Sequence, residues 1–319
     1  MSFDFLTPDA LLNAVEDAIG LPLTGLTVAL PSYINRVYEL RAKDGTKLIA
    51  KFYRQDRWSR EAILDEHRFA MDCVESELPV VAPLPLKSTE TLGKLGDSFF
   101  ALFPKRAGRQ LEITDDSYWP RIGSLIGRLH VCGEKRAALH RIVIDPRLSA
   151  LNDADYLCTQ VIPEPLRGPF RDTASRLIEK SAPAFEAAER IRIHGDCHRG
   201  NILDRLDQGL LLIDFDDMAM GPPVQDLWLL LPDRAEACGR EIELFLEGYE
   251  RFRKFDRSTL ACIEPLRAMR MIYFLAWLSR QSGDALFKKN FPDWGNDSFW
   301  QREINDLREQ MGFIEQRNE

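Results

Sequence analysis

Paired cysteines are missing. The six cysteines stand at 73, 132, 158, 197, 238 and 262, and no two form a C-x-x-C pair. That removes zinc-ribbon and thioredoxin-like readings and leaves reduced thiols as the expectation. Histidine is scarce, at five in 319 residues. The strongest apolar run, Met271 to Leu278, falls short of the roughly 20 residues that span a bilayer. The first residues, MSFDFLTPDALLNAVEDAIG, hold acidic side chains and no basic n-region, so no signal peptide is expected and the protein is read as cytoplasmic, with no membrane partner. Positive charge is in deficit, with 42 Lys plus Arg against 50 Asp plus Glu and a net charge of -8. Broad nucleic-acid binding needs the opposite balance, so no nucleic-acid partner is expected. A G-x-S-x-G elbow, a G-x-x-x-x-G-K-[ST] loop and a G-x-G-x-x-G turn are also absent.

What remains is a globular composition, 45% hydrophobic and 29% charged. The first hundred residues read as strands with one prominent helix. Strands are expected over Leu26–Leu30, Asn35–Arg41 and Lys47–Tyr53. The Asp44-Gly45 pair between the last two is a tight-hairpin signal, which puts Lys51 on its second strand. Ser59 reads as the N-cap of a helix over Arg60–Glu77. Glu66 falls on that helix's apolar stripe with Ile63 and Ala70, so its carboxylate needs a partner. Another strand follows at Phe99–Phe103.

Past Pro104 the pattern turns helical. Helices are expected around Ile122–Leu129 and over residues 171–190, Val224–Leu231, Glu241–Phe255 and Leu266–Arg280. Short strands at Ile191–Ile193 and Leu210–Ile213 flank a polar loop. The expected organisation is a sheet-rich small lobe over residues 1–105 and a helix-rich larger lobe over 106–319, an α+β class.

The polar loop carries the chemistry. It reads His194-Gly195-Asp196-Cys197-His198-Arg199-Gly200-Asn201, followed by Ile213-Asp214-Phe215-Asp216-Asp217. Phosphoryl transfer from ATP needs a carboxylate for the attacking hydroxyl and oxygen ligands for magnesium. An Asp, an amide five residues later and an Asp after the next strand supply them, with the order and spacing of the protein-kinase signature. Here Asp216 stands where that signature has glycine. Short-spaced Asp and Asn are ordinarily turn residues. Strand Lys51 and inward-facing Glu66 match the other half of kinase machinery, a phosphate-binding Lys held by a helix Glu. The rival reading of His194, Asp196 and His198 as a metal-hydrolase triad would need further ligands, and His67, His130 and His140 sit in no ligand motif. The segment Pro31–Val37 lacks the glycine-rich motif that would cover phosphates, so Ser32 and main-chain N–H groups are expected there instead.

These blocks, with Lys51-Phe52-Tyr53-Arg54, Arg57-Trp58, Glu66-His67, Gln225-Asp226-Leu227-Trp228 and Glu264 to Arg270, resemble the aminoglycoside phosphotransferase and choline kinase-like superfamily. More closely they resemble its stress response kinase A family; Ser32-Tyr33 belongs to the match. The resemblance implies a bilobal protein-kinase-like fold with a small N-terminal antiparallel-sheet lobe and a larger, mainly helical C-terminal lobe. It implies ATP as cosubstrate, Mg2+ as cofactor and transfer to Ser or Thr of proteins, this chain included, in a cytoplasmic stress response; the expected state is a monomer. It implies Asp196 and Asp214 as catalytic, Asn201 and Asp214 as metal ligands, and Ser32, Lys51 and Glu66 at the nucleotide. Asp216 reads as an extra phosphate- or metal-side residue, and Asp226 as a structural brace. The alternative is a small-molecule kinase acting on choline, homoserine or an aminoglycoside-like hydroxyl. Its hint, an aromatic cage from Tyr273, Phe274, Trp277, Trp294 and Trp300, competes with a plain core role.

Overall fold

The computed structural model describes residues 3, 5–32, 34–282 and 285–316. Tyr33, part of the family match, lies outside the described residues. In chain order the main elements are α1 (Pro8–Ile19), β1 (Leu23–Leu30), β2 (Arg36–Ala42), β3 (Lys47–Phe52), α2 (Arg60–Glu75), β4 (Gly93–Leu95), β5 (Ser98–Pro104), β6 (Arg109–Gln110) and α3 (Tyr118–Gly133). There follow α4 (Leu151–Gln160), α5 (Glu164–Ser181), α6 (Pro183–Glu186), β7 (Ile191–Ile193), β8 (Ile202–Asp204), β9 (Leu210–Leu212) and β10 (Ala219–Gly221). The last are α7 (Gln225–Trp228), α8 (Gly239–Tyr249), α9 (Ile263–Gln281), α10 (Ala285–Asn290) and α11 (Asp297–Gln316).

Contacts divide the chain into two units that are discontinuous in sequence. The first holds the chain up to Arg141, His194–Met218 and Arg240–Lys254. Its sheet is antiparallel, in the order β1-β2-β3-β5-β4. The Asp44-Gly45 turn closes the β2–β3 hairpin as expected, with Thr46 N–H donating to Asp44 Oδ1 at 2.8 Å. β1 starts at Leu23, ahead of the expected Leu26, because buried Leu23 pairs with Ala42 across an irregularity in the register. Alternation along β3 sends successive side chains to opposite faces. Ala50 and Phe52 join Leu40, Phe100 and Leu102 in a core closed by Leu11 and Val15 of α1. Tyr53 goes to the other face, with Ile63, Leu92 and Ala101.

Helix α2 begins where Ser59 predicts. The Ser59 Oγ accepts from Ala62 N–H at 3.1 Å, a cap worth about 1 kcal/mol. It stops at Glu75 rather than Glu77, because Glu77 turns to φ 57° and Leu78 N–H returns to Cys73 O at 2.9 Å. Helices α3 and α8 cross at van der Waals limit. A Cβ on Gly123 would lie 1.9 Å from Phe245 O, and one on Gly248 would lie 1.9 Å from Pro120 O, so only hydrogen fits at either contact. The strand over Leu210–Ile213 is β9, which pairs with β8, and β8 with β6.

The second unit holds Ile142–Ile193, Ala219–Gly239 and the chain from Phe255 on. Here α4, α5, α9 and α11 pack together, and β7 pairs with β10. The helix expected over residues 171–190 is α5 followed by α6. It starts earlier, at Glu164, because proline fits the first helical turn. It is interrupted at Pro183, which has no N–H to donate, while Ala182 before it keeps helical backbone and returns its N–H to Ile178 O. The expected Val224–Leu231 helix contracts to α7, and the helix expected over Glu241–Phe255 is α8, which starts earlier, at Gly239, and ends at Tyr249. Helices α1, α4, α10 and α11 carried no expectation.

Of the five C-terminal aromatics, Trp300 is core, Tyr273, Trp277 and Trp294 are half-buried, and Phe274 is exposed. Trp300 is fully buried, 6.3 Å from Phe170 and 5.6 Å from Trp294. Arg267 reaches Glu264 at 3.5 Å and Arg280 reaches Asp153 at 3.1 Å, so both serve local carboxylates. Asp226 is fully buried on α7. No described helix is long and apolar enough to cross a membrane.

Candidate active site

The site lies within the first unit. Lys51 occupies the central strand β3, opposite Val37 on β2 and Ala101 on β5. That position fixes its main chain on both sides. Its Nζ is 3.0 Å from Asp214 Oδ1, 3.1 Å from Asp216 Oδ1 and 3.7 Å from Glu66 Oε1. Lys51, Glu66 and Asp216 are buried, while the Asp214 side chain is half exposed. Burial alone would lower the Lys51 pKa, but the carboxylates of Asp214, Asp216 and Glu66 outweigh it and hold the ammonium well above the ordinary lysine value. Burial likewise raises Glu66, to about 7, against the opposing pull of Lys51. Asp216 goes the other way. Its desolvation is overcome by Lys51, Arg57 and Arg141, which keep its carboxyl well below the usual range.

Glu66 thus holds Lys51 as expected, but at the longest of these distances. A further arm steadies it. Tyr53 O–H donates to Glu66 Oε1 at 3.2 Å and meets His67 Nε2 at 2.9 Å, while His67 Nδ1 meets Thr91 Oγ1 at 2.7 Å. Burial, with Lys51 and Arg141 nearby, lowers His67 to about 3, so the ring is neutral at physiological pH.

The catalytic loop is built from local hydrogen bonds. His194 Nε2–H donates to Ile213 O at 2.9 Å, tying the start of the loop to the segment after β9. Gly195 sits at φ 84°, and a Cβ there would lie 2.1 Å from Asp217 O. The following residues double back. His198 and Asn201 Nδ2 both reach Asp196 O, the former through its N–H, at 2.9 and 3.0 Å. Asn201 N–H donates to His198 O at 2.9 Å, and Ile213 N–H to Asn201 O at 2.9 Å. The five-residue Asp-to-Asn interval is therefore one closed turn. The Asp196 carboxylate, about one-fifth exposed, has His198 Nε2 at 3.4 Å. Asp214 itself stands at φ 62°, ψ 74°. For a non-glycine residue that conformation costs on the order of 1–3 kcal/mol and concentrates at functional sites.

The donor set fits a hard divalent cation. Asn201 spends its amide N–H₂ on Asp196 O, which leaves the carbonyl oxygen for a ligand. Asp214 spends one oxygen on Lys51 and is half exposed. Two oxygen-bearing side chains, completed by phosphate and water, are the usual protein share of a magnesium site. The triad alternative of His194, Asp196 and His198 loses its ligands to the protein, since His194 Nε2 is bound to Ile213 O and His198 Nδ1 accepts from Gly200 N–H at 2.9 Å. The remaining histidines are likewise engaged, with Tyr249 for His130 and Asp65 for His140.

Ser32 is half-buried between β1 and β2. Among the described residues no hydrogen bond or ion pair joins it to the Lys51 cluster. The structure instead supplies residues to which the sequence assigned no role. Arg57 donates to Asp216 Oδ2 at 2.5 Å and Asp217 Oδ1 at 2.6 Å. Asn35 Nδ2 donates to Asp216 Oδ2 at 3.2 Å. Buried Arg141 donates to the main-chain oxygens of Asp216 and, at 2.7 Å, Met218. Tyr53 could have been found from strand parity, two residues from Lys51. Arg57 belongs to a matching block, but nothing in the spacing of Asn35, Arg57 or Arg141 marks them as partners of Asp216. Cys197, beside Asp196, is fully buried and packs.

Comparison with known proteins places the chain in a family. The sequence pattern described as "Phosphotransferase enzyme family" matches residues 27–266. Stress response kinase A of Escherichia coli (strain K12) is 39% identical over 325 aligned positions, covering 99% of this chain and 94% of that protein. Serine/threonine protein kinase RdoA of Salmonella typhimurium (strain LT2) is 37% identical, covering 98% and 95%. Among solved structures, amicoumacin kinase hAmiN in complex with AMP-PNP, Ca2+ and Ami superposes with a TM-score of 0.73 at 18% identity, over 95% of this chain and 92% of that one. A microcompartment-associated aminopropanol kinase gives 0.69 at 15% identity, over 97% of each chain. These structural likenesses establish the kinase-like fold.

Proposed function

The chain belongs to the phosphotransferase enzyme family and, within it, to the stress response kinase A family, and from that premise we propose that this ATP-dependent phosphotransferase acts on serine or threonine hydroxyls of proteins, its own among them, in the cytoplasm. The observation that carries the reading is the convergence of Lys51 and Asp214, 3.0 Å apart, beside the Asp196–Asn201 turn.

Residues 1–105 form the nucleotide-covering part and 106–319 the part with the catalytic loop. Lys51 binds the α- and β-phosphates of ATP. Glu66 and Asp216 keep its ammonium in place when Asp214 turns to another partner. Ser32 and neighbouring main-chain N–H groups cover the phosphates. Asn201 and Asp214 would hold Mg2+, which when bound would neutralise charge developing on the phosphates. Asp196 orients the acceptor hydroxyl and takes its proton as the oxygen attacks the γ-phosphorus. The bond from that phosphorus to the bridging oxygen breaks, and ADP leaves. The turn that fixes Asp196 O through Asn201 and His198 positions the carboxylate before substrate arrives, so little reorganisation is left for the transition state.

The test is transfer of label from γ-labelled ATP with magnesium, offered to the protein itself, a generic protein substrate and a panel of small alcohols. Labelled protein with an unlabelled panel is the expected result. Labelled alcohols with unlabelled protein would sink the protein-kinase reading.

A further inference from the structure

Asp216 stands where the kinase signature has glycine, and its neighbours explain the replacement. Its Oδ1 is 3.1 Å from Lys51 Nζ. Its Oδ2 accepts from Arg57 Nη1 at 2.5 Å and Asn35 Nδ2 at 3.2 Å. The other terminal nitrogen of Arg57, Nη2, reaches Asp217 Oδ1 at 2.6 Å. Arg57 lies in the link between β3 and α2, between Lys51 and Glu66 in sequence. Its side chain is about six-sevenths buried and lies 5.4 Å from the Trp58 ring. The guanidinium of Arg141 covers the same ring at 3.8 Å.

Asp214, Asp216 and Asp217 crowd negative charge into one short turn. Left alone, they would repel each other and compete for any divalent cation. One guanidinium bridging two different carboxylates fixes their spacing as well as their charge, because its fork is planar and rigid. With Oδ2 tied from Arg57 and Asn35, the only oxygen Asp216 can offer Lys51 is Oδ1.

We propose that Arg57 is a positioning residue for phosphotransfer. By clamping Asp216 and Asp217, it makes Asp216 the fixed anchor of Lys51 and leaves Asp214 as the carboxylate available to the metal. Arg57 spends both terminal nitrogens on Asp216 and Asp217 and acts through Asp216. The inference rests on the assignment of Lys51 to the nucleotide phosphates.

The experiment is a double-mutant cycle on steady-state kinetics, with R57M, D216N and the double variant, MgATP being varied. Each single change should raise KM for MgATP about tenfold, with a smaller effect on kcat, and the double should be no worse than the poorer single. Independent, multiplying losses would overturn the proposal. A role in folding alone would lower the melting temperature without this coupling. A second readout is Mn2+ binding without nucleotide. It should tighten several-fold in R57M, where two carboxylates are released, and unchanged affinity would count against the clamp. R57K covers the case in which R57M does not fold. A point-charge ammonium cannot span both carboxylates, so folded R57K should still show a raised KM, and a wild-type KM would refute the proposal. If the wild-type protein turned over no MgATP, the functional reading itself would fall; if it turned over and the cycle were additive, the Arg57 inference alone would.

Discussion

The Lys51 ammonium lies 3.0 Å from the Asp214 carboxylate, across 163 residues of sequence and closer than Glu66 at 3.7 Å. Lys51 thus rests on the very carboxylate proposed to take the metal. Engagement of Asp214 by a cation would leave the ammonium with Asp216 and Glu66, free to turn one face to phosphate.

Lys51→Met removes that phosphate contact. MgATP turnover should fall on the order of 10²-fold, the typical loss when a preorganised charge at the transition state is removed. Steady-state kinetics on the purified variant checks it, and turnover within a few-fold of wild type would remove Lys51 from the mechanism.

Gly195 and Gly168 make a matched pair. Gly195→Ala forces a side chain into φ 84° with its Cβ 2.1 Å from Asp217 O. It should cost on the order of 1–3 kcal/mol or more and displace Asp196. Gly168 lies inside α5 with open space around it. Gly168→Ala should stabilise by about 0.4–1 kcal/mol. Urea denaturation of both variants decides between them.

His67 predicts a pH dependence. Its folded pKa of about 3 lies below the ordinary 6.5. Between those values the unfolded chain binds a proton that the native state excludes, so stability is lost as pH falls from 6.5 toward 3. Glu66, raised to about 7 from 4.5, works in the opposite sense: its contribution is present below 4.5 and is lost as pH rises through 7. His67→Gln should therefore flatten the acid limb. Denaturant midpoints from pH 7 to pH 4 test this, and parallel curves for variant and wild type would disprove it.

All six cysteines are buried and none is in a disulfide. Burial also pushes the Cys262 thiol up to about 12. Thiolate is the reactive form, so the native protein should react slowly with a thiol reagent and quickly once unfolded. Rapid native-state labelling of Cys197, with loss of turnover, would contradict its packing role.

What the sequence made legible was local or ordered. The Asp44-Gly45 turn, the Ser59 cap and the alternation around Lys51 each follow from a few adjacent residues, and all three stand in the structure. Lys51, Glu66, Asp196, Asn201 and Asp214 could be picked out because kinase chemistry requires those groups in that order. Lys51, Glu66 and Asp214 meet in one cluster, and Asp196 and Asn201 share the adjoining turn. The partners of Asp216 were hidden. Asn35, Arg57 and Arg141 reach it from separate segments, and nothing in the spacing of polar residues says which carboxylate an arginine will find. Helix ends slipped for a related reason. Periodicity marks a helix interior, whereas its ends depend on single residues such as Glu77 turning to positive φ.

The most direct test of the account is Asp196→Asn, followed by transfer from labelled ATP to a protein acceptor and by MgATP binding. The substitution keeps the shape of the side chain and removes its ability to take a proton. Transfer should drop on the order of 10²-fold or more while nucleotide affinity stays within about threefold of wild type. Transfer at the wild-type rate with intact binding would contradict the role of Asp196 and, with it, the proposed chemistry of the site.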